Sequence, residues 1–259
     1  MSFPKPFNLE GKVALITGGA NGLGLAFAEA MAEAGADVAC ADIDTEGLNE
    51  AVRKIEKTGR KAISIVCDVT KEADVEKMVK KTEETLGRLD ILFNNAGIAE
   101  KDPKPLHEYT TEEWSRILDV DLQGVFYCAR AALKIMVRQK SGKIINIASI
   151  WGLVGSSGLF PVPAYNSAKG AVVNLTRELG LEYAALGINV NAICPGFYRT
   201  ALGGGSDDPE FVKAVEGYVP MGKMAEPEDL KGTAIFLASE ASDYMCGQMI
   251  VTDGGICAK

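Results

Sequence analysis

Residues 13–24 have the sequence VALITGGANGLG, and this stretch decides the fold of the 259-residue chain. Its first five residues form a short apolar run that is followed by glycines, a pattern that predicts a buried parallel strand. Residues 23–34 are apolar and alanine-rich, which predicts a helix directly after the glycine turn. A strand, a glycine turn and a helix N-terminus form a cradle for phosphate, because glycines let the backbone approach the anion and free N–H groups face it.

The glycine spacing is G-x-x-x-G-x-G, which differs from the G-x-G-x-x-G of the standard dinucleotide fingerprint. An ordinary tight connection between strand and helix would have similar glycines. Here a second predicted strand follows and ends on Asp42, where the ribose hydroxyls of a bound adenosine should lie. A helix or turn cap is the alternative role for Asp42, and the complete strand–turn–helix–strand unit favours the ribose.

A tyrosine and a lysine four residues apart, Tyr165 and Lys169, predict a second functional element. On a helix this spacing puts both side chains on one face. A free tyrosine titrates near ~10, and a positive charge ~4 Å away supplies about 4 kcal/mol at an effective dielectric of ~20, which is enough to make it a base near neutrality. Chance is the alternative explanation, since both residues are common on helices. The upstream glycine turn favours catalysis.

With these elements the chain resembles the short-chain dehydrogenase/reductase family over nearly its whole length. The resemblance rests on seven motifs in the family's order: Thr17-Gly18-x-x-x-Gly22-x-Gly24, Asp68-Val69, Asn94-Asn95-Ala96-Gly97, Ser149, Tyr165-x-x-x-Lys169, Pro195-Gly196 with Thr200, and Asp253-Gly254-Gly255.

The resemblance implies a role for each matching residue. Tyr165 is expected to be the general acid/base, Ser149 to donate a hydrogen bond to the substrate oxygen, and Lys169 to lower the pKa of Tyr165 and hold the nicotinamide ribose. Adenine is expected between Asp68 and Val69, and the nicotinamide carboxamide at Thr200. The expected cofactor-binding residues are Gly18, Asn21, Gly22, Leu23, Gly24, Asp42, Asp68, Val69, Asn95, Gly97, Tyr165, Lys169, Gly196 and Thr200.

Two departures from the family pattern affect the expected site. Asp121 stands where the family usually has an asparagine that anchors a water in the proton relay. A carboxylate can still accept from water, so we expect Asp121 to be catalytic, in an altered relay or a different proton path. The interval from Ser149 to Tyr165 is also longer than usual, and the extra residues fall in the Gly/Ser/Pro-rich segment 155–163, which borders the substrate in the family.

Alternating strand and helix signals predict one α/β domain, residues 1–259, with a doubly wound parallel sheet and helices on both faces. Length alone would allow two domains, but no linker interrupts the alternation. The seven predicted strands span 13–17, 37–42, 62–67, 91–94, 143–148, 189–193 and 249–252. Thr110 and Glu113 predict a capping box that opens a long helix running towards Lys140. Gly18, Asp42, Asp68, Asn95, Ser149 and Pro195 all lie at or just past a predicted strand end.

Composition narrows the classes of function. The net charge of −8 disfavours nucleic acid and anionic membranes as partners, and no apolar run approaches a membrane span. None of the six cysteines forms a C-x-x-C pair, and Cys40, Cys67 and Cys194 fall in predicted strands, so we expect core thiols in a cytoplasmic protein. His107 is the only histidine, which argues against a zinc site and a Ser-His-Asp hydrolase. No metal is expected.

The sequence therefore predicts an NAD-dependent enzyme that interconverts a secondary alcohol and its ketone. Two alternatives remain: a catalytically silent NAD-binding or sensing protein, and a redox-neutral sugar-nucleotide epimerase or dehydratase, which would need a larger substrate domain. Substrate is expected against Ser149, Tyr165 and an apolar wall that favours ring or alkyl alcohols; the wall residues are Trp151, Leu159, Phe160 and Phe197.

Three further expectations concern the lid, the assembly and the cofactor. Segment 197–220 contains Gly203-Gly204-Gly205-Ser206, which could hinge a substrate lid or form a surface loop. Arg199 in the same segment could anchor a substrate carboxylate or be an ordinary surface arginine. The C-terminal strand resembles the segment through which family members form symmetric tetramers. Asp42 favours NAD, because its carboxylate would repel the 2′-phosphate of NADP, and Asn21 and Ile43 stand where NADP-preferring members usually have a cation.

Overall fold

One seven-stranded parallel sheet organises the molecule in the computed structural model, which describes residues 4–202 and 208–258. The strand order is β3-β2-β1-β4-β5-β6-β7. The strands are Val13–Thr17 (β1), Asp37–Asp42 (β2), Ala62–Val66 (β3), Ile91–Asn94 (β4), Gly142–Ile147 (β5), Ile188–Pro195 (β6) and Met249–Thr252 (β7). All six neighbouring pairs are parallel, which confirms the predicted doubly wound sheet.

Eight α-helices lie in the described residues. They are Gly22–Glu33 (α1), Thr45–Glu56 (α2), Glu72–Leu86 (α3), Thr111–Leu118 (α4), Gly124–Gln139 (α5), Pro163–Tyr183 (α6), Pro209–Tyr218 (α7) and Lys231–Ala238 (α8). Helices α1, α2 and α8 share one core cluster with one face of the sheet, and α3 and α5 share another cluster with the opposite face. Helices therefore cover both faces, as predicted. In the described ranges, no helix has both the length and the apolarity to span a bilayer.

The strands supply both core clusters because successive side chains of a strand point to opposite faces of a sheet. In β1, Ala14 and Ile16 pack with α1, whereas Leu15 packs on the other side of the sheet. Cys40 in β2 and Cys67, one residue past β3, belong to these two clusters, and Cys194 in β6 is buried in a separate cluster with Val172 and Val173 of α6. Their predicted role as buried core thiols is confirmed, and burial raises the pKa of the Cys40 thiol to about 12.

The predicted long helix towards Lys140 is interrupted. Its capping box is present, since the Glu113 N–H donates to Thr110 Oγ1 at 3.2 Å and the Thr110 N–H donates to Glu113 Oε2 at 2.8 Å. However, the α-helical pattern stops at Leu118, and Asp119–Gln123 form a π-helical turn before α5 begins. A π turn adds a residue to the helical repeat, which changes the direction in which the side chains around it point. Asp121, in this turn, is fully buried.

The strand order also fixes where a ligand can bind. Because β1 lies between β2 and β4, the chain reverses its direction across the sheet between β3 and β4. In sheets of this kind, ligands bind beyond the carboxyl ends of the strands, at this switch point. We call this end of the sheet the carboxyl edge. Asp42 ends β2 there, and the glycine turn, Asn95, Ser149 and Gly196 follow β1, β4, β5 and β6.

Candidate active site

The glycine turn after β1 leaves no room for side chains at two positions. Gly18 has φ +64°, and a Cβ there would lie 2.8 Å from Asn95 Nδ2. A Cβ on Gly24 would lie 1.9 Å from the Gly18 carbonyl oxygen. Asn95 holds the turn from the β4 side, because its Nδ2 donates to the carbonyl oxygens of Thr17 at 2.9 Å and Gly18 at 3.1 Å. The turn is thus fixed in a shape that only glycine permits.

The N-terminus of α1 opens next to this turn. Asn21 is its N-cap residue and forms no side-chain capping hydrogen bond. A cavity of about 450 Å³ begins at this end of the helix and continues along it; its lining includes Asn21, Gly22, Thr200, Glu29 and Lys54. Leu23 does not line it and packs against the core. Uncapped N–H groups beside a cavity fit the phosphates of a dinucleotide, so these residues could hold a nicotinamide cofactor.

Asp42 faces the glycine turn from the end of β2. Its Oδ2 accepts from the Ala20 N–H at 3.2 Å, and its Oδ1 accepts from the Asp44 N–H at 3.1 Å. The turn-capping role weighed as the alternative is therefore present. It does not exclude a ribose contact, because a carboxylate has about four acceptor sites. Asp44 itself caps α2 by accepting from Glu46 and Gly47.

The other predicted cofactor residues have local packing or hydrogen-bonding roles as well. The Asp68 carboxylate accepts from Thr70 Oγ1 at 2.7 Å and lies 3.1 Å from Lys71 Nζ. The Thr70 hydrogen bond lowers the pKa of Asp68, and Lys71 adds to this. Val69 is buried against Gly124, where a Cβ would come within 2.9 Å of its side chain.

Gly196 follows β6 at the same edge, and it needs to be glycine for a reason of packing. A Cβ there would come within 2.8 Å of the Asp253 backbone. The Gly196 N–H donates to the Thr252 carbonyl oxygen at 3.0 Å. This glycine therefore closes the contact between β6 and the chain that leaves β7.

Ser149, Tyr165 and Lys169 are brought together at the carboxyl edge and are almost completely buried, with 5%, 8% and 3% of their surfaces exposed. Lys169 Nζ lies 5.4 Å from the centre of the Tyr165 ring and donates to the Ile147 carbonyl oxygen at 3.0 Å. Ser149 Oγ accepts from the Trp151 N–H at 3.1 Å, which fixes the serine side chain. The helical spacing predicted for Tyr165 and Lys169 is present in α6.

Asp121 contacts Lys169 directly. Its Oδ2 lies 3.1 Å from Lys169 Nζ, and its Oδ1 accepts from the Ile98 N–H at 2.8 Å. Gly97 packs against both partners, since a Cβ there would lie 3.2 Å from Asp121 Oδ2 and 3.4 Å from Lys169 Nζ. The aspartate that replaces the family's usual asparagine thus forms a buried ion pair with the lysine.

Burial and this ion pair control the pKa values of the site. Burial raises the pKa of Tyr165; Lys169 and a hydrogen bond from Ser149 lower it, and Asp121 raises it further, with a net increase. Burial raises the pKa of Asp121, with Lys169 opposing. Burial lowers the pKa of Lys169, but the charge and hydrogen bond of Asp121 together with the Tyr165 phenol outweigh this, and the net pKa is raised. Lys169 alone therefore does not lower the pKa of the Tyr165 phenol to neutral pH. The sequence-based expectation differs because it took account of neither burial nor Asp121.

Sequence reasoning missed Glu100, which contacts the N-terminus of α6. Glu100 follows β4 and is 7% exposed. Its Oε1 accepts from the Tyr165 N–H at 3.0 Å and from the Tyr109 hydroxyl at 3.1 Å. A charged residue so close to the Asn-Asn-Ala-Gly motif was the available signal, but nothing in the sequence connects it with a helix that begins more than sixty residues later.

Aromatic side chains pack beside the phenol. Trp151 lies 6.3 Å from Phe160 and 6.1 Å from Phe197, measured between ring centres, and both contacts are edge-to-face. Phe211 and Tyr218 of α7 join them at 6.4 Å. The predicted substrate residues Trp151, Phe160 and Phe197 therefore share one apolar cluster with Tyr165.

Two sequence-based ideas about segment 197–220 have different outcomes. The Gly203–Ser206 hinge lies outside the described residues. Arg199, considered as an anchor for a substrate carboxylate, already pairs with Glu226 at 3.1 Å and with Glu216 at 3.7 Å.

A family model described as enoyl-(acyl carrier protein) reductase matches residues 18–257. The chain belongs to the short-chain dehydrogenase/reductase family. It is 40% identical over 249 residues to cis-4-hydroxycyclohexanecarboxylate dehydrogenase of Sinomonas cyclohexanicum, covering 95% of this chain and 97% of the relative. It is 37% identical over 255 residues to 2-dehydro-3-deoxy-D-gluconate 5-dehydrogenase of Formosa agariphila, covering 97% of this chain and 95% of the relative.

Solved structures of this family superpose closely on the chain. A gluconate 5-dehydrogenase from Burkholderia cenocepacia, in complex with NADP and tartrate, has a TM-score of 0.92 and 36% identity, covering 98% of each chain. The short-chain dehydrogenase/reductase described here is therefore an oxidoreductase of a family that binds a nicotinamide cofactor.

Proposed function

We propose that this short-chain dehydrogenase/reductase interconverts a secondary alcohol and its ketone with NAD, and that Tyr165 is the general acid/base. The observation that carries the proposal is the buried contact of Tyr165 with Lys169, beside Ser149 and at the same edge as the glycine turn. The cofactor, when bound, supplies a nicotinamide ring that takes or gives the hydride.

The residues of the chain handle the proton and the oxygen. In oxidation, the Tyr165 phenolate oxygen accepts the hydroxyl proton, and Ser149 donates a hydrogen bond to the substrate oxygen. Lys169 stabilises the phenolate by its charge. Asp121 keeps the ammonium protonated and holds it through the 3.1 Å contact. In reduction, Tyr165 returns the proton to the developing alkoxide.

The proposed preference for NAD rests on Asp42. Its carboxylate lies at the end of β2 beside the glycine turn, with an oxygen 3.2 Å from the Ala20 nitrogen. A ribose with two free hydroxyls could donate to it, whereas a 2′-phosphate would meet like charge. Because a structural relative binds NADP, the cofactor must be tested directly.

The proposed substrate is a ring or alkyl secondary alcohol without a free carboxylate. The cluster of Trp151, Phe160 and Phe197 offers an apolar wall next to the phenol. Arg199, the cation considered for a substrate acid, is already paired with two glutamates. The name of one relative is that of a ring alcohol that carries a carboxylate, and the name of another is that of a sugar acid, so acidic ring alcohols and sugar acids belong in the assay beside uncharged alcohols.

The test is a panel of cyclic, aromatic, acidic and polyol alcohols with NAD or NADP, read by appearance of the reduced cofactor. We expect turnover of ring alcohols with NAD. Tyr165→Phe should abolish turnover and leave cofactor affinity largely intact, because it removes one hydroxyl from a packed ring. Near-normal activity of this variant would contradict the mechanism. Absence of cofactor reduction with every alcohol would favour the silent binding protein, and redox-neutral turnover of a nucleotide sugar would favour the epimerase.

We also propose that the protein is a cytoplasmic homotetramer. The edge position of β7 supports this, because an edge strand presents unpaired backbone groups. Exposed apolar side chains nearby, including Val251 on β7, give the same edge a surface that a second copy could cover.

A further inference from the structure

We propose that Glu100 is a positioning residue that fixes the first turn of α6, and with it Tyr165, to the loop after β4. The inference rests on the proposed role of Tyr165 as the acid/base. Glu100 touches the backbone of the catalytic residue and acts through it.

The start of α6 lacks the usual means of satisfying its N–H groups. Its N-cap residue is Val162, which has no side chain that can accept, and its first residue is Pro163, which has no N–H. The Tyr165 N–H is the donor that an N-cap side chain would normally satisfy. Glu100 Oε1 accepts it at 3.0 Å from a segment 65 residues away. Glu100 therefore caps the catalytic helix from another part of the fold.

The position of Glu100 is itself fixed. The Tyr109 hydroxyl donates to the same oxygen at 3.1 Å. The other oxygen, Oε2, is buried and has no hydrogen-bond partner within residues 4–202 and 208–258. No Lys, Arg or His of those ranges forms an ion pair with Glu100. Of the two lysines that follow on the same loop, Lys101 and Lys104, the second pairs with Glu113 at 2.6 Å. The carboxylate is therefore balanced mainly by the N-terminal dipole of α6, which favours negative charge.

This charge also acts on the phenol. Four polar or charged groups act on the Tyr165 phenol: the Lys169 ammonium from α6, the Asp121 carboxylate from the π turn, the Ser149 hydroxyl just past β5, and Glu100 from the loop after β4. Glu100 and Asp121 both raise the pKa of Tyr165, and Lys169 opposes them. A substitution that removes the charge of Glu100 but keeps its hydrogen bonds should therefore lower the pKa of the Tyr165 phenol. A residue that only stabilises the fold would not have this effect.

Two substitutions separate the charge from the cap. Glu100→Gln keeps an acceptor for the Tyr165 N–H and removes the charge, whereas Glu100→Ala removes both. For Glu100→Gln we expect near-normal kcat and an acid limb of kcat/KM for oxidation that moves about one pH unit lower, the order of magnitude for one buried unit charge at an effective dielectric of ~20. For Glu100→Ala we expect kcat to fall at least tenfold, with little change in the cofactor Kd. The matched control is Glu108→Gln, at an exposed glutamate beside Tyr109. This variant should change neither kcat nor the acid limb of kcat/KM.

Titration of the phenol by ultraviolet absorbance, as the difference between each protein and its Tyr165→Phe counterpart, gives a readout that does not need turnover. The expected result is a lower titration midpoint in Glu100→Gln than in the unmutated protein. An unchanged midpoint together with an unchanged pH profile would overturn the proposal. If the unmutated protein reduces no cofactor, the proposed function fails and the titration still decides the influence of Glu100. If Glu100→Ala does not fold, Glu100→Gln alone decides the inference.

Discussion

Asp121→Asn should move the pH dependence of catalysis to lower pH. The substitution keeps the shape of the side chain and removes a buried negative charge that lies 3.1 Å from Lys169 Nζ. Lys169 Nζ is 5.4 Å from the centre of the Tyr165 ring. The carboxylate is therefore at most about 8.5 Å from the ring, where a unit charge at an effective dielectric of ~20 contributes about 2 kcal/mol. Without it, the Lys169 charge acts on the phenolate with less opposition.

The sign follows from the direction of the pKa shift. Asp121 raises the pKa of Tyr165, so its removal lowers that pKa. Oxidation needs the phenolate, and its acid limb should move about 1.4 pH units lower. Reduction needs the protonated phenol, and its alkaline limb should move lower by the same amount.

The assay is kcat/KM against pH in both directions, for the unmutated enzyme and Asp121→Asn. A shift of both limbs by one amount identifies the phenol as the common group. Limbs that stay in place, or that move to higher pH because Lys169 has lost its proton, would refute the electrostatic argument.

Three other predictions test the cofactor, the core and the assembly. Asp42→Ala should lower the ratio of kcat/KM with NAD to kcat/KM with NADP at least tenfold, because it removes the acceptor for the ribose hydroxyls and the repulsion of the 2′-phosphate. Equal kcat/KM values for the two cofactors in the unmutated enzyme would show that Asp42 acts elsewhere. Asp90→Ala should reduce the free energy of unfolding, measured by urea denaturation, by about 3 kcal/mol. The substitution removes the carboxylate that accepts from the Val13 N–H at 2.9 Å and from Arg88 Nε at 2.7 Å. Glu76→Ala, at an exposed ion pair, is its control and should change stability little. Light scattering at micromolar concentration should give a tetramer mass, and a monomer mass would contradict the assembly.

The fold was predictable because its signals are local. Short apolar runs that alternate with helical patterns predicted all seven strands, with boundaries correct within two residues. The Thr110–Glu113 capping box was visible in the sequence because both partners lie within one helical turn. Tyr165 and Lys169 were found for the same reason, since helical spacing alone puts them on one face.

The electrostatics of the site were not predictable because they depend on contacts between distant segments. The π turn at Asp119–Gln123 has no residue pattern of its own, so the helical repeat could not show that Asp121 reaches Lys169. The Glu100 contact joins a loop to a helix through a backbone N–H, and no side-chain pattern records a backbone donor. The burial that raises the pKa of Tyr165 is likewise a property of the assembled core.

The strand order has a consequence for how such a protein can be recombined. The sheet is joined across its switch point by a single strand pair, β1 with β4. The phosphate cradle and Asp42 precede that junction in the chain, whereas Glu100, Asp121, Ser149, Tyr165 and Lys169 follow it. A crossover between homologous genes near Leu89 would therefore exchange the glycine turn and Asp42 while keeping Ser149, Tyr165 and Lys169. If Asp42 selects the cofactor as proposed, such a crossover changes cofactor preference and leaves the proposed proton-transfer residues in place.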